Sequence, residues 1–178
     1  MYKNFDLNLG QISTIFFDVD GTFTDGSLYF MDNGSSMIKF NVHDGMGCIL
    51  LEESGLELLI LTARHSDAVV KRFKELGITK IFTKVLKKRD FIKDYLKSHD
   101  LAKHEVAFMG DDLQDLAAIN EVGVFFTSSN AIDIVKESAH YVTLRSGGNG
   151  AVREISDLII RSKGSTPLLE FNRYLKKR

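Results

Sequence analysis

Short apolar runs alternate with longer amphipathic stretches along most of this chain, a pattern that predicts alternating strands and helices. The apolar runs are short, rich in β-branched and aromatic residues and closed by turn signals, as expected of buried strands. They predict strands at residues 15–17, 56–61, 78–82, 106–109, 122–126 and 141–143. The amphipathic stretches predict helices at residues 46–54, 66–76, 88–97, 113–121, 131–137 and 151–161.

Strands that alternate with helices of this length form right-handed βαβ units, in which the parallel sheet is covered by helices on both faces. The pattern therefore predicts an α/β protein with a three-layer, doubly wound and mostly parallel sheet.

Residues 27–41 interrupt this alternation and predict a β-hairpin flap. Two apolar segments, Ser27–Phe30 and Met37–Phe40, flank Asp32-Asn33-Gly34, a turn signal with glycine where a positive φ is needed. Because an isolated two-stranded hairpin is marginally stable in water, we expect this one to pack on something, such as its copies in other subunits.

The length of 178 residues and the composition are those of one ordinary globular domain. We place that domain at residues 1–163 and read residues 164–178, which contain the single proline and a basic end, as a solvated C-terminal tail. The net charge of −1 gives no electrostatic argument for nucleic acid or membrane binding. No apolar signal region opens the sequence, so the expected location is cytoplasmic.

Polar side chains follow three of the predicted strands, at the point where each strand ends. Asp18 and Asp20 follow the first strand, Thr62 follows the second, and Asp111 and Asp112 follow the strand at residues 106–109. Ligands of open α/β sheets bind outside the carboxyl ends of the strands. The sequence therefore predicts a functional site built from these groups.

Several carboxylates and few histidines indicate a hard cation such as Mg²⁺, held by oxygen ligands and completed by substrate phosphate. A calcium loop starting at Asp18 is excluded, because its sixth position is Phe23 rather than glycine and its twelfth is Tyr29 rather than glutamate.

These residue types suit phosphoryl transfer through a covalent intermediate. Asp18 would attack phosphorus, Asp20 would move the proton of the leaving alcohol and then of water, and Thr62 would bind a phosphoryl oxygen. A lysine would neutralise the phosphate charge, and Lys88 at the start of a helix is our candidate. Composition alone does not separate it from the cations nearby in the chain, which are Lys84, Lys87 and Arg89.

The order and spacing of these motifs resemble the four motifs of the haloacid dehalogenase superfamily of phosphotransferases: Asp18-x-Asp20-Gly21-Thr22, Leu61-Thr62, a lysine, and Gly110-Asp111-Asp112-x-x-Asp115. The resemblance implies catalytic roles for Asp18, Asp20, Thr62 and Lys88. It also implies Mg²⁺ ligands from the side chains of Asp18 and Asp111 and from the main-chain carbonyl of Asp20. Asp112 and Asp115 would support the site.

Further motifs resemble a subfamily without a cap domain, whose members remove phosphate from sugar acids. These motifs are Thr24-Asp25-Gly26, Phe40-Asn41-Val42-His43-Asp44-Gly45, Gly77-Ile78-Thr79 and Gly147-Gly148-x-Gly150-Ala151-Val152-Arg153-Glu154. The resemblance implies a homotetramer with the hairpins and the C-terminal tail at subunit contacts. It also implies a role in lipopolysaccharide precursor synthesis, and it places Asp25, Gly26 and His43 near the substrate.

Arg64 is the residue that we use to predict the substrate. Members of the subfamily that act on eight-carbon acids tend to carry arginine here, whereas a relative that acts on nine-carbon acids carries glutamate. A guanidinium suits a substrate carboxylate, and the other interpretation of Arg64 is a surface residue at a helix start. Ala63 stands where the subfamily usually has glycine, and the segment before Lys88 also departs from its pattern. The nine-carbon alternative therefore stays open.

Two alternatives remain beside this interpretation. A signalling receiver domain shares the fold and an acidic cluster, but its phosphate-accepting aspartate ends a strand in the middle of the domain. A non-catalytic scaffold would leave clustered carboxylates unused, at a cost in stability.

Residues 147–150 are either a flexible turn into the last helix or part of the site; they are not a P-loop, because no Gly-Lys-Ser/Thr follows.

Overall fold

A computed structural model describes residues 7–178 and has the predicted alternation of strands and helices. The strands are β1 (Thr14–Phe17), β2 (Tyr29–Phe30), β3 (Ser36–Met37), β4 (Glu57–Leu61), β5 (Ile81–Phe82), β6 (Val106–Met109), β7 (Val124–Thr127) and β8 (Tyr141–Val142). The helices are α1 (Val42–Glu53), α2 (Asp67–Glu75), α3 (Lys88–Ser98), α4 (Leu113–Leu116), α5 (Asp133–Ser138), α6 (Ala151–Ser162) and α7 (Pro167–Lys176).

Six parallel strands of the described chain form one sheet in the order β5-β4-β1-β6-β7-β8. β1 lies between β4 and β6, so that Phe17 is level with Ile60 on one side and Met109 on the other. The carboxyl ends of these three strands therefore meet at one edge of the sheet, next to each other.

Side chains of β1 alternate between two separate hydrophobic clusters, one on each face of the sheet. Ile15 and Phe17 are fully buried in the cluster that contains residues of α1 and α6, whereas Phe16 is buried in the cluster that contains residues of α3 and α5. Both faces of the sheet are thus covered by helices, which confirms the predicted three-layer fold.

The predicted hairpin forms, but it is shorter than expected. β2 and β3 pair antiparallel over two residues each and stand apart from the main sheet. Five of the apolar side chains in the hairpin region lie at the surface of the chain: Leu28, Tyr29, Phe30, Met31 and Met37. Ile38 and Phe40, which follow β3, are partly buried against the core. Within residues 7–178, only this hairpin and its flanking loops separate β1 from α1, so no cap domain is inserted there.

The helix predicted at residues 113–121 is wrong in its second half. α4 ends at Leu116, and the chain continues as a 3₁₀ turn at Ile119–Glu121. The buried Glu121 side chain accepts from Arg89 and pairs with Lys103. These contacts hold the segment in the tighter turn.

The C-terminal segment is also different from the expectation, since it is a helix and not a solvated tail. The Thr166 side chain caps α7, Pro167 occupies its first turn, and Glu170 is fully buried. α7 packs against α1 and α6. The Gly-Ser-Thr-Pro sequence interpreted as a boundary thus contains a helix cap followed by a proline, a usual helix start.

Among the described residues, no helix is both long and apolar enough to cross a membrane. Residues 1–6, on which the expectation about a signal region rests, lie outside the described part of the chain.

Candidate active site

A cleft of about 290 Å³ lies at the carboxyl ends of β1, β4 and β6. It brings together the groups that the sequence places after these strands. Its lining consists of Asp18, Asp20, Gly21, Gly26, Thr62, Ala63, Arg64, Lys88, Asp111, Asp112, Gln114 and Asp115. Asp18 and Asp111, 93 positions apart in the chain, meet here because the three strands are neighbours in the sheet.

Lys88 is the lysine that enters this cleft. It is the first residue of α3 and is buried, whereas Lys84 and Lys87 are exposed. Its Nζ lies 2.6 Å from Asp18 Oδ1 and 2.5 Å from Asp115 Oδ1. Burial alone would lower the pKa of Lys88, but the two carboxylates raise it above its ordinary value. The ammonium therefore stays charged between them.

Both oxygens of the buried Asp115 carboxylate are already engaged within the chain. Oδ1 accepts from Lys88, and Oδ2 accepts from the backbone N–H groups of Asp111 and Asp112 at 2.9 and 3.2 Å. These bonds fix the turn that follows β6. The arrangement suits a supporting role for Asp115, which stays a proposal.

Carboxylate oxygens of Asp18, Asp111 and Asp115 lie within 4.8 Å of one another. Burial, together with the charges of Asp115 and Asp112, raises the pKa of Asp111 to about 7. Burial and Asp115 also raise the pKa of Asp18, while Lys88 opposes the shift. Crowded oxygen donors that resist joint ionisation fit a hard divalent cation, since a cation would offset their repulsion.

The side chain of Asp20 is not part of this three-carboxylate group. Its oxygen Oδ2 lies 3.5 Å from the Arg64 guanidinium, near the mouth of the cleft. Asp20 therefore pairs with Arg64 and lies outside the group formed by the carboxylates of Asp18, Asp111 and Asp115. Thr62 is buried, and its Oγ1 accepts from the Arg64 amide at 3.3 Å, which orients the hydroxyl at the end of β4.

Gly21 has a structural reason to be glycine. Its φ is +75°, and a Cβ at this position would lie 1.8 Å from Asp111 Oδ2. The backbone after β1 thereby comes directly against the carboxylate that follows β6. A larger residue would force these two parts of the site apart.

Two predicted substrate residues are not brought into the cleft. Asp25 is exposed, where it accepts from the Ser27 amide and pairs with Lys39 at 3.7 Å. His43 lines a different cleft of about 440 Å³, together with Arg145, Gly150, Arg153, Glu154 and Asp157. Gly26 does lie in the cleft that contains Asp18.

Sequence reasoning missed Gln114 and left the role of residues 147–150 open. Gln114 lines the cleft, and only its position between Asp112 and Asp115 could have indicated it. The loop at residues 146–150 packs against the turn after β1, where the Gly148 amide donates to the Thr22 carbonyl at 3.1 Å. The closely spaced glycines of this loop were the signal, because such spacing allows close backbone contact.

The known proteins that this chain resembles are haloacid dehalogenase-like hydrolases and phosphatases. Residues 77–155 match the family described as haloacid dehalogenase-like hydrolase. The chain is 33% identical over 162 residues to 3-deoxy-D-manno-octulosonate 8-phosphate phosphatase of Haemophilus influenzae. The matched region covers 91% of this chain and 90% of that protein. It is 36% identical over 154 residues to the phosphatase of the same name from Escherichia coli, covering 86% and 82%.

A solved structure is similar over nearly the whole chain. The crystal structure of 3-deoxy-D-manno-octulosonate 8-phosphate phosphatase from Moraxella catarrhalis, in complex with magnesium, phosphate and KDO, superposes with a TM-score of 0.86. The two are 32% identical, and the match covers 96% of this chain and 95% of the other.

Proposed function

We propose, given that this chain belongs to the haloacid dehalogenase-like hydrolase family, that it hydrolyses 3-deoxy-D-manno-octulosonate 8-phosphate. The relatives support phosphatase activity in general, and the chain is a phosphatase on that basis. The observation that carries the proposal is the convergence of Asp18, Lys88 and Asp111 in one cleft at the strand ends.

In the first step, Asp18 attacks the phosphorus atom and the bond between phosphorus and the sugar oxygen breaks. Asp20 gives its proton to the leaving alkoxide, and the product is an aspartyl-phosphate on Asp18. Lys88 supports this step because its ammonium already lies at the Asp18 carboxylate and offsets negative charge there.

In the second step, water attacks the same phosphorus atom and its proton passes to Asp20. The bond between phosphorus and the Asp18 oxygen breaks, which releases inorganic phosphate and restores the Asp18 carboxylate. Thr62 would donate a hydrogen bond to a phosphoryl oxygen in both steps. Dividing the hydrolysis in this way replaces one difficult step with two easier ones.

Mg²⁺ is the cofactor that the donor set fits best. The side chains of Asp18 and Asp111 and the carbonyl of Asp20 would hold it. When bound, it would neutralise charge on the phosphoryl oxygens. The described residues that line this cleft offer carboxylate and other oxygen ligands but no histidine or cysteine, which favours this hard cation over softer metals.

The eight-carbon acid is favoured over a nine-carbon acid by Arg64. This residue lines the same cleft as Asp18, so a bound sugar acid could meet it with a carboxylate. The names of the relatives point the same way. Participation in lipopolysaccharide precursor synthesis follows from this substrate and is part of the proposal.

The test compares kcat/KM for eight- and nine-carbon ulosonate phosphates, in the wild type and in Arg64→Glu. We expect the wild type to prefer the eight-carbon ester and the variant to lose roughly 10-fold to 100-fold on it, the effect of removing a charged hydrogen bond. Lys39→Glu makes the same charge change outside the cleft and should not alter the preference. An unchanged preference in Arg64→Glu would remove the basis for the substrate assignment.

We also propose that four chains associate through their hairpins. Five large apolar side chains of the hairpin region are exposed in the single chain, and association would bury them. The C-terminal segment was expected at the same contacts, but α7 already packs on α1 of its own chain. The hairpin is therefore the part of the surface on which the proposal rests.

A further inference from the structure

A loop far along the chain supports the turn that carries the catalytic carboxylates. This glycine loop, residues 146–150, lies against residues 21–24, the turn after β1. The Gly148 amide donates to the Thr22 carbonyl at 3.1 Å, and a Cβ on Gly147 would lie 1.8 Å from the Gly21 carbonyl oxygen. The two backbones are in direct contact, so that a shift of the loop must displace the turn.

The turn itself is in contact with the catalytic groups. Gly21 follows Asp20 in the chain and lies against the Asp111 carboxylate. Ser128 directly follows β7, and its Oγ donates to the Gly21 carbonyl at 3.1 Å. The turn is therefore held between Ser128 and the glycine loop, and its position depends on both.

Asp44, in the first turn of α1, anchors the glycine loop from behind. The residue is 1% exposed; Oδ2 accepts from the Gly150 amide at 3.1 Å and Oδ1 from the Arg153 amide at 2.9 Å. A buried carboxylate is costly unless its hydrogen bonds are made, which ties it to one arrangement of the loop. On the exposed side, Asn130 Oδ1 accepts from the Gly147 amide at 2.6 Å.

We infer that Asp44 is a positioning residue, which acts through the glycine loop to fix the turn after β1 and hence Asp20 and Asp111. The competing explanation is that Asp44 only caps α6, because it accepts from the amides of Gly150, just before α6, and of Arg153, in its first turn. Helix capping would contribute to stability without reaching the reaction. The kinetic part of this inference rests on the proposed phosphatase function, but the structural coupling can be measured without it.

The first experiment compares Asp44→Asn with the wild type. Asparagine keeps the shape but turns one acceptor into an NH₂ group that faces a backbone N–H. We expect kcat to fall about 10-fold to 100-fold, as misplacement from a remote change can do, with KM nearly unchanged. Hydrogen exchange should accelerate at the Gly148 amide. A pure cap would accelerate exchange only at Gly150 and Arg153 and leave kcat unchanged, which would overturn the inference.

Glu170→Gln is the matched control. Glu170 is also a fully buried carboxylate, but it lies in α7 and accepts from Ser165 and Arg173. We expect this variant to lower Tm while kcat and exchange at Gly148 stay at the wild-type values. If it lowered kcat as much as Asp44→Asn, general destabilisation would explain both and the inference would fail.

A double-mutant cycle with Gly147→Ala tests whether Asp44 acts through the loop. The added methyl group pushes on the same turn from the loop side. If both changes act through one path, the loss of kcat in the double variant is smaller than the product of the two single losses. Losses that multiply would show independent effects and contradict the inference.

Asn130→Ala keeps the inference testable if Asp44→Asn does not fold. Asn130 is exposed, and its loss removes another anchor of the glycine loop. It should lower kcat and accelerate exchange at Gly148, whereas Asn149→Ala, an exposed change in the same loop, should do neither. Equal behaviour of the two variants would overturn the inference. A wild type without phosphatase activity would refute the proposed function, yet exchange at Gly148 would still decide the coupling.

Discussion

At the scale of single residues, the site depends on one buried positive charge among carboxylates. Lys88 contacts Asp18 and Asp115 directly, and Asp111 lies within the same group of oxygens. Removing one partner from a buried network of charges leaves the others without compensation. Lys88 therefore contributes both to the integrity of the site and to the charge that a phosphate would meet.

Lys88→Met should lower kcat by about 100-fold or more, because the phosphoryl charge and the Asp18 carboxylate lose their neutralising group. Lys87→Met is the matched control: Lys87 is the preceding residue and is exposed, so its loss should leave kcat within about twofold of the wild type. Steady-state phosphate release measures both. Equal losses, or activity in Lys88→Met near that of the wild type, would show that Lys88 is not the phosphate-binding cation.

Asp111 makes the stability of the metal-free protein depend on pH. Its pKa is raised from 3.8 to about 7 in the folded chain, mainly by burial. Between these values the folded protein holds a proton that the unfolded chain has lost, so this contribution to stability is lost as pH rises from about 4 to about 7. Asp111→Asn removes the titration. We expect the wild type, in EDTA, to lose roughly 5 °C more in Tm than the variant between pH 5 and 8.

Thermal unfolding of both proteins across this pH range is the measurement. The difference between them isolates Asp111 from the other carboxylates that titrate in the same range. A wild-type Tm that rises relative to Asp111→Asn with increasing pH would contradict the raised pKa.

The residues of the site differ in how far the sequence could predict them. Asp18, Asp20 and Asp111 follow buried strands, and strand ends in an α/β sheet converge, so their proximity was predictable. The choice of Lys88 among neighbouring lysines needed the burial of its side chain at the start of α3. His43 was placed near the substrate by resemblance alone, and α1 directs it to a different cleft.

At the scale of elements, hydrophobic periodicity predicted the central strands well because each is a continuous apolar run. It failed where tertiary contacts decide the local structure. Glu121 is tied to α3 and to Lys103, which gives a 3₁₀ turn where a longer helix was predicted. α7 was missed because Thr166 and Pro167, which cap and start the helix, were interpreted as a domain boundary. Its packing against α1 is a contact that no local pattern shows.

The hairpin is the element whose role can be tested by association. Phe30 lies near the tip of the hairpin and is 72% exposed, so Phe30→Asp should not disturb the fold of the single chain. We expect it to convert a tetramer to smaller species, because a charge at an apolar contact resists desolvation. Light scattering coupled to size-exclusion chromatography gives the mass of each species.

Leu175→Asp is the control for this change, since Leu175 is an exposed apolar residue of α7 and lies outside the hairpin. It should leave the mass as in the wild type. A wild type that is already a monomer, or a tetramer that tolerates Phe30→Asp, would refute association through the hairpin.

At the scale of the whole molecule, the order of strands places the chemistry. β1 is central, and its neighbours β4 and β6 bring Thr62 and Asp111 to the end where Asp18 lies. The fold class and this convergence were predictable from the alternation of elements and the right-handed crossover rule. The support from the glycine loop was not, because it joins residues more than a hundred positions apart through backbone contacts.

The central claim is that Asp18 is the nucleophile, and trapping the intermediate tests it most directly. Protein is mixed with Mg²⁺ and 3-deoxy-D-manno-octulosonate 8-phosphate, quenched in acid and treated with borohydride, which reduces an aspartyl-phosphate to homoserine. Peptide mass spectrometry then locates the change. The account predicts homoserine at position 18 in the wild type and none there in Asp18→Asn. Homoserine at Asp20 or Asp111 instead, or unimpaired phosphate release by Asp18→Asn, would contradict it.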